Sequence, residues 1–184
     1  PQRGHSTRVY DNDVFENNTE NFATPGSAVS GVPKGSGILI NSNDKVEIFN
    51  NRIRDNDTAN IVISSYFSAN YAGQRDLAKE FDPYPEDIFI YGNALSGGGT
   101  APGRDYLVMV RDAVYGQQGA LPDIIWDGVV NPENTDNPKV ICVEQDDVDL
   151  LSIDAANEFA NPSVDMQRHN CKVPKLSPVE LGVD

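Results

Sequence analysis

The chain has 184 residues, a net charge of −14 and a hydrophobic content of 39%, which fits a single globular domain. Its apolar runs are much shorter than a membrane-spanning helix, and its acidity argues against nucleic acid as a partner because phosphate groups would be repelled. Such a surface is typical of secreted proteins and of Ca²⁺-binding proteins.

One sequence pattern recurs along the chain. Residues 8–19 and 47–58 both read aliphatic, aromatic, polar, Asn, any residue, aliphatic, then a polar turn that ends in Thr. Residues 89–100 are a third copy, and residues 124–130 are a degenerate fourth copy. A further short apolar run follows each copy, at residues 37–40, 60–63, 106–110 and 140–143.

A repeated unit of three short strands separated by polar turns predicts a parallel β-helix of about four coils, stacked at the strand spacing of about 4.8 Å. Insertions are expected at the turns, over residues 23–35, 66–86 and 113–122. No helical periodicity is sustained along the chain. A β-sandwich is the alternative, but it does not explain why equivalent residues recur in the same order.

Stacked coils turn the repeat into columns of equivalent residues. Two aliphatic columns are predicted to build the core: Val9, Ile48, Ile90 and Ile125, then Val14, Ile53, Leu95 and Val130. Strand alternation places an aromatic column on the outer face: Tyr10, Phe49, Tyr91 and Trp126.

A column of asparagines marks the bend between the first two strands. It contains Asn12, Asn51 and Asn93, and is continued by Gly128. Asn and Gly both tolerate left-handed backbone angles. The Asn side chains are also expected to hydrogen-bond to one another as a ladder.

On these motifs the chain resembles the right-handed parallel β-helix superfamily, which includes pectate-lyase-like and periplasmic NosD-like proteins. More narrowly, residues 9–66 look like a bacterial family of exported β-helix repeat proteins of unknown function. The resemblance covers about residues 5–145 and implies a secreted, periplasmic or cell-surface protein. It also implies that residues 1–149 are the C-terminal part of a longer solenoid, whose N-terminal edge is covered by missing residues or by another chain.

The aromatic column is the first candidate binding surface. Stacked rings can bind sugars, and Phe15, Arg52 and Arg54 are expected to lie on an outer face nearby. The rings could instead lie beneath the aromatic-rich insertion over residues 66–86, and the arginines could form an ordinary solvated surface. The superfamily's lyases need clustered Asp ligands and an Arg base, and Arg52 and Arg54 have only Asp13 beside them, so no catalytic residue is assigned.

An acidic run, Asp146, Asp147 and Asp149, is a candidate Ca²⁺ site, although an exposed turn is the alternative. Cys142 and Cys171 are expected to form a disulfide that ties the tail to the body, with two separate thiols as the alternative. The two histidines, His5 and His169, are interpreted as ordinary surface residues. Residues 150–184 carry no repeat and are predicted to cap the last coil, with a short helix within residues 152–159.

Three functions are compatible with this fold. The favoured hypothesis is a non-catalytic extracytoplasmic module that presents a rigid surface to a glycan or a protein partner. The alternatives are a polysaccharide-active lyase or epimerase and a structural part of a larger surface assembly. An enzyme should show a cleft in which carboxylates and basic groups converge, whereas a binding module should show an apolar or aromatic face without them.

Overall fold

The computed structural model describes residues 4–27, 29–68, 81–134 and 141–178. Within those ranges, no helix is long and apolar enough to cross a membrane. The strands are β1 (Gly4–Tyr10), β2 (Asp13–Phe15), β3 (Ser36–Asn41), β4 (Asn43–Phe49), β5 (Arg52–Arg54), β6 (Ala59–Ser64), β7 (Ile88–Tyr91), β8 (Ala94–Ser96), β9 (Ile124–Trp126), β10 (Ile141–Glu144) and β11 (Leu150–Ser152). The helix α1 spans Asp105–Tyr115, and 3₁₀ turns span Ala155–Asn157 and Met166–Arg168.

The strands form three parallel sheets, as the all-β parallel prediction requires. Sheet A has the order β1-β4-β7-β10, sheet B has the order β2-β5-β8, and sheet C has the order β11-β9-β6-β3. On the first three passes the chain visits sheets A, B and C in that order, and the fourth pass has described strands in sheets A and C only. We therefore define unit 1 as β1–β3, unit 2 as β4–β6, unit 3 as β7–β9, and unit 4 as β10 and β11.

The pairing register brings equivalent side chains together. Val9 pairs with Ile48, which pairs with Ile90, and Val14, Ile53 and Leu95 align in the same way in sheet B. Ile48, Ile53 and Ile90 are fully buried. Because side chains alternate across a strand, these residues and the inward face of sheet C form one apolar core between the three sheets.

The fourth unit differs from the prediction. Ile125 belongs to β9, which pairs with β6 in sheet C, and the fourth member of the Val9 column is instead Val143, which pairs with Ile90. The second core column ends at Leu95, and Val130 lies outside the strands with 52% of its surface exposed. A long insertion separates β8 from β9 in the sequence. For this reason residues 124–130 look like the first strand of a new unit, although β9 is the last strand of unit 3.

Residues 106–110 form part of helix α1 rather than the predicted strand. Leu107 and Val110 are buried, and Val114 packs on the same cluster, which is the i, i+3, i+7 spacing of an amphipathic helix. The helix lies on the outer face of sheet C, where Val62, Ile125 and Leu151 complete a second apolar cluster. In the sequence this short periodicity does not distinguish a helix from a strand, because the run Leu107–Val110 also suits a buried strand.

Left-handed residues mark the bends after the first three strands of sheet A. The residues that follow β1, β4 and β7 have positive φ angles: Asp11 (56°), Asn50 (53°) and Gly92 (62°). These residues immediately precede Asn12, Asn51 and Asn93, so the prediction that the asparagines themselves take left-handed angles is wrong, whereas Gly128 does take one (81°). Short polar side chains and Gly tolerate this conformation best.

The asparagine ladder itself is present. The backbone N–H and the side-chain amide of Asn12 donate to Oδ1 of Asn51, at 3.1 and 2.9 Å. The same two groups of Asn51 donate to Oδ1 of Asn93, both at 3.0 Å. The next acceptor is Oε1 of Gln145 at 2.9 Å, so Gln145 rather than Gly128 continues the ladder.

The segment after β11 lies against unit 4. Ser152 and Ser163 form an antiparallel bridge, the backbone N–H of Leu150 lies 3.2 Å from the sulfur of Met166, and that of Val143 donates to the His169 carbonyl. The predicted short helix is a 3₁₀ turn over Ala155–Asn157. The predicted disulfide between Cys142 and Cys171 is present.

His169 is buried, not a surface residue, with 6% of its surface exposed. Nδ1 of its ring lies 3.0 Å from the Ile141 carbonyl oxygen, and the ring meets Trp126 edge to face. Burial lowers the pKa of His169, although the hydrogen bond to the Ile141 carbonyl opposes this effect. The neutral ring is therefore the form that packs against unit 4.

We expect Asn51→Leu to lower the free energy of unfolding by about 2–4 kcal/mol, because buried backbone groups that bond to its amide lose their partners. Asn51 is 2% exposed and also donates to the carbonyls of Val9 and Phe49. Urea unfolding followed by circular dichroism measures the change. The exposed Asn157 provides the control, and an equal loss in Asn157→Leu would contradict a special role for the ladder.

Acidification should destabilise the protein through His169. An unfolded histidine has a pKa of about 6.5, and the folded value is lower, so the unfolded chain takes up the proton first. Stability is therefore complete above about pH 6.5 and decreases as the pH falls from there toward the folded pKa. Urea midpoints at about pH 7.5 and 5.5 should differ less for His169→Gln than for the wild type, whereas the exposed His5→Gln should behave as wild type.

Candidate functional site

The aromatic column on sheet A is a closed stack of rings. Tyr10 and Phe49 have ring centroids 5.0 Å apart and planes 7° apart, and Phe49 and Tyr91 are 4.9 Å and 2° apart. The rings thus contact one another through their faces, and mainly the ring edges point outward. The fourth residue of the column is Glu144, which pairs with Tyr91; Trp126 instead points into the core from sheet C, with 8% of its surface exposed.

The C-terminal segment crosses the outer face of sheet A. We call residues 171–177 the strap. It is tied to Cys142 by the disulfide, Lys172 pairs with Glu144, and Nζ of Lys175 lies 4.3 Å from the centroid of the Tyr91 ring. The strap therefore crosses this face from Cys142 in unit 4 to Glu47 in unit 2 and Arg8 in unit 1, whereas Tyr10 remains 50% exposed.

An ion pair between the partly exposed Arg8 and the buried Glu47 holds the far end of the strap. Arg8 Nε donates to Glu47 Oε2 at 2.7 Å, and Glu47 is 3% exposed. The other carboxylate oxygen of Glu47 accepts from the backbone N–H of Leu176 at 3.0 Å. Arg8 donates in turn to the carbonyls of Leu176 and Ser177, so both charges are satisfied by contacts with the strap.

Sheet B carries the predicted arginine pair on its solvent side. Arg52 forms a two-point ion pair with Asp13, with the Nε to Oδ1 distance at 3.1 Å, and this contact lowers the pKa of Asp13. The Arg54 guanidinium lies 4.4 Å from the centroid of the Phe15 ring and pairs with Asp55. The arginines thus bind neighbours within their own face rather than converging with an acid cluster.

A concavity lies over sheet C and was not predicted. This groove has a volume of about 870 Å³. Its floor is the outward column Leu39, Val62 and Ile125, whose members pair across β3, β6 and β9. The sequence contains a pattern that indicates this column. Each of these residues stands between two inward-facing residues of its strand, so strand alternation places it on the outer face.

Two pairs of aromatic side chains line the groove. Tyr106 of α1 stacks on Phe159, with ring centroids 5.1 Å apart and planes 10° apart. Phe67 and Tyr84, with ring centroids 5.6 Å apart, lie on the lining with the exposed Val130. Phe67 and Tyr84 come from the insertion that was predicted to cover the aromatic column. Two other aromatic residues of this insertion, Tyr66 and Phe81, contact each other. Tyr71 lies outside the described residues.

Two polar side chains in the lining, Asp127 and Asn41, are already bonded. Asp127 is 3% exposed; its carboxylate accepts from the Ser65 N–H at 2.6 Å, the Ser68 hydroxyl at 2.7 Å and the Val129 N–H at 3.1 Å. The side-chain amide of Asn41 donates to Ser64 and Ser65. Asp127 thus supports the loops that line the groove, and the groove mainly offers apolar contact area.

The rim near Tyr84 is acidic. Burial raises the pKa of Tyr84, and the negative charges of Asp82, Glu133 and Glu86 raise it further. No Lys, Arg or His side chain is found in the described lining. The groove therefore favours a neutral or cationic ligand and repels a polyanion.

The predicted acidic run does not assemble a metal site within the described ranges, since Asp146, Asp147 and Asp149 do not place their oxygens together. Asp44, Asp82 and Glu86 do bring carboxylate oxygens within 4.8 Å of one another. The side-chain amide of Asn134 donates to Glu86 in this cluster. Such clusters are common on acidic proteins, so the geometry alone assigns no cation.

The comparisons with known proteins give no family. No match to the chain is found among protein-family models, curated proteins or solved structures.

We expect Glu47→Ala to release the strap, because Leu176 loses its acceptor and Arg8 loses its counter-ion. Tryptic cleavage after Lys175 should accelerate at least several-fold, since cleavage follows the population of the opened segment. Mass spectrometry of timed digests measures this rate. Glu158→Ala, at an exposed acid away from the strap, is the control, and a parallel acceleration after Arg111 would indicate global unfolding instead.

Proposed function

We propose that the protein is a non-catalytic extracytoplasmic binding module, built as a right-handed parallel β-helix, whose groove over sheet C binds an apolar segment of a partner protein. The repeated order of sheets A, B and C supports this fold. The disulfide supports an oxidising compartment, because such bonds persist mainly outside the cytosol. A secreted, periplasmic or surface location follows.

The observation that carries the proposal is an apolar groove of about 870 Å³ with aromatic walls. Side chains such as Phe67 and Val130 remain 53% and 52% exposed there. Apolar concavities of this size are characteristic of ligand and protein interaction sites. Aromatic rings beside an aliphatic floor suit the apolar anchors that dominate protein interfaces.

The polar chemistry of the groove favours a polypeptide over a glycan. Sugar recognition requires many hydrogen bonds beside the rings, but Asp127 and Asn41 use theirs to hold the surrounding loops. A uronate polymer would also meet the carboxylates of Asp82, Glu86 and Glu133. We therefore infer a partner segment with aromatic or aliphatic anchors and a neutral or positive charge.

The described groove does not offer the machinery of a polysaccharide lyase. Such an enzyme needs a base and several converging charged groups. Asp127 is the sole carboxylate in the described lining, and its oxygens are occupied by hydrogen bonds. These features favour binding over catalysis.

A peptide library displayed on phage tests the proposal. We expect selection on the protein to enrich peptides with apolar anchors beside Lys or Arg. Val130→Asp should weaken the selected peptides at least about tenfold, because it introduces an uncompensated charge into an apolar contact. Met109→Asp is the matched control, since Met109 is 53% exposed on α1 and lies outside the groove.

Three results would contradict this function. One is enrichment of acidic peptides, and another is equal binding by the Val130→Asp and Met109→Asp variants. The third is release of unsaturated products from uronate polymers, with or without Ca²⁺, which would establish a lyase. A glycan array should show no ligand whose binding depends on Val130.

A further inference from the structure

The outer face of sheet A carries a column of side chains that is largely shielded from solvent. Strand alternation points these residues outward, because their neighbours in each strand pack in the inner core. They pair with one another across β1, β4, β7 and β10, and we call them the covered column: Arg8, Glu47, Phe89 and Cys142. An outward position normally meets water, yet Glu47, Phe89 and Cys142 are 3%, 1% and 0% exposed.

The strap follows the covered column from one end to the other. The disulfide joins it to Cys142, and the backbone N–H of Leu176 donates to Glu47 at 3.0 Å. Phe89 lies between these two contact points in the sheet, and its ring meets that of Tyr91, with centroids 4.6 Å apart. The strap therefore passes over an aromatic surface that ends in a buried carboxylate.

Most of the polar contacts to the strap are made with its backbone. Glu47 accepts a backbone N–H, and Arg8 donates to two backbone carbonyls. The contact that selects a side chain is the Lys175 ammonium, which lies 4.3 Å from the centroid of the Tyr91 ring. The covered column thus offers an acceptor, a donor and an aromatic face, which together suit an extended polypeptide that contains a basic residue.

The strap itself does not belong to the core. None of its seven residues is buried, and the ion pair between Lys172 and Glu144 is exposed, where such a pair contributes little. When the strap leaves, Glu47 and Arg8 regain water, which offsets part of the contacts that are lost. A segment held in this way opens more readily than the strands beneath it.

The disulfide that fixes the strap is accessible to a thiol at one of its two sulfurs. Cys142 is fully buried, whereas Cys171 is partly exposed. The thiolate of a dithiol reductant attacks Sγ of Cys171, which forms a mixed disulfide and releases Cys142 as a thiolate. The second thiol of the reductant then displaces Cys171. The cystine thereby takes up two electrons and two protons, the dithiol becomes a disulfide, and the strap keeps only its noncovalent contacts.

We propose that the covered column is a binding site for an extended polypeptide segment with a basic residue, and that the strap occupies this site in cis until a dithiol reduces the disulfide between Cys142 and Cys171. The strap is then an autoinhibitory contact whose own residues resemble the ligand. This site lies on sheet A and is separate from the groove over sheet C.

Hydrogen exchange of the full chain tests whether reduction opens the strap. Dithiothreitol should accelerate exchange of the Leu176 N–H at least about tenfold, because its bond to Glu47 is broken more often. The N–H groups of Val143 and Ile61, which donate to the carbonyls of His169 and Asp123, should exchange as before. Unchanged exchange at Leu176, or an equal acceleration at Ile61 through global unfolding, would overturn the proposal.

A fluorescent peptide with the sequence of residues 172–178 is the probe for binding. It should bind Cys171→Ser at least about tenfold more tightly than the oxidised wild type, because the strap of the variant lacks its covalent anchor and competes less well. The wild type in dithiothreitol should match the variant, which keeps the test valid if Cys171→Ser folds poorly. Equal binding to the oxidised and reduced protein, or no saturable binding to either, would overturn the proposal.

Two substitutions in the Cys171→Ser chain locate the bound peptide. Glu47→Ala should weaken binding at least about tenfold, because the peptide loses its backbone acceptor. Val130→Asp should leave binding unchanged, which separates the covered column from the groove. A peptide in which Lys175 is replaced by Met should bind several-fold more weakly, since it lacks the ammonium over Tyr91. Binding that depends on Val130 rather than on Glu47 would contradict the assignment.

Discussion

The structure depends on a hydrogen bond that is repeated once per unit at the same corner. Asn51 is almost fully buried and uses its side chain to join unit 1, unit 2 and unit 3. Its amide also satisfies backbone carbonyls that the bend removes from the sheets. The register of sheets A and B is fixed on either side of this corner, because a slip of one residue would expose the aliphatic columns and bury polar residues.

Once the inner core is set, the three outer faces are free to differ. Sheet B presents its charges to solvent, sheet A is crossed by the strap, and sheet C is partly covered by α1. Helix α1 belongs to an insertion and the strap belongs to the C-terminal tail. Both segments therefore cover their sheets without changing the register of the strands. The groove lies on the part of sheet C that α1 leaves uncovered, and its floor residues Leu39 and Val62 also pack in the second apolar cluster.

The proposed groove and the strap differ in chemistry. The groove offers apolar area inside an acidic rim. The strap is held on sheet A by polar contacts, in which the buried Glu47 binds both Arg8 and the backbone N–H of Leu176.

The sequence by itself determined the parallel sheets, the columns through Ile48 and Ile53, the ladder from Asn12 to Asn93 and the disulfide. These features repeat, and a local pattern of residue types is enough to specify them. The tertiary structure decided the assignment of β9 to sheet C, the helical state of residues 105–115, the path of the strap and the groove. Those features arise from contacts between segments far apart in the chain: Leu107 becomes helical because it can bury one face against Val62 and Ile125, and no local pattern encodes that meeting.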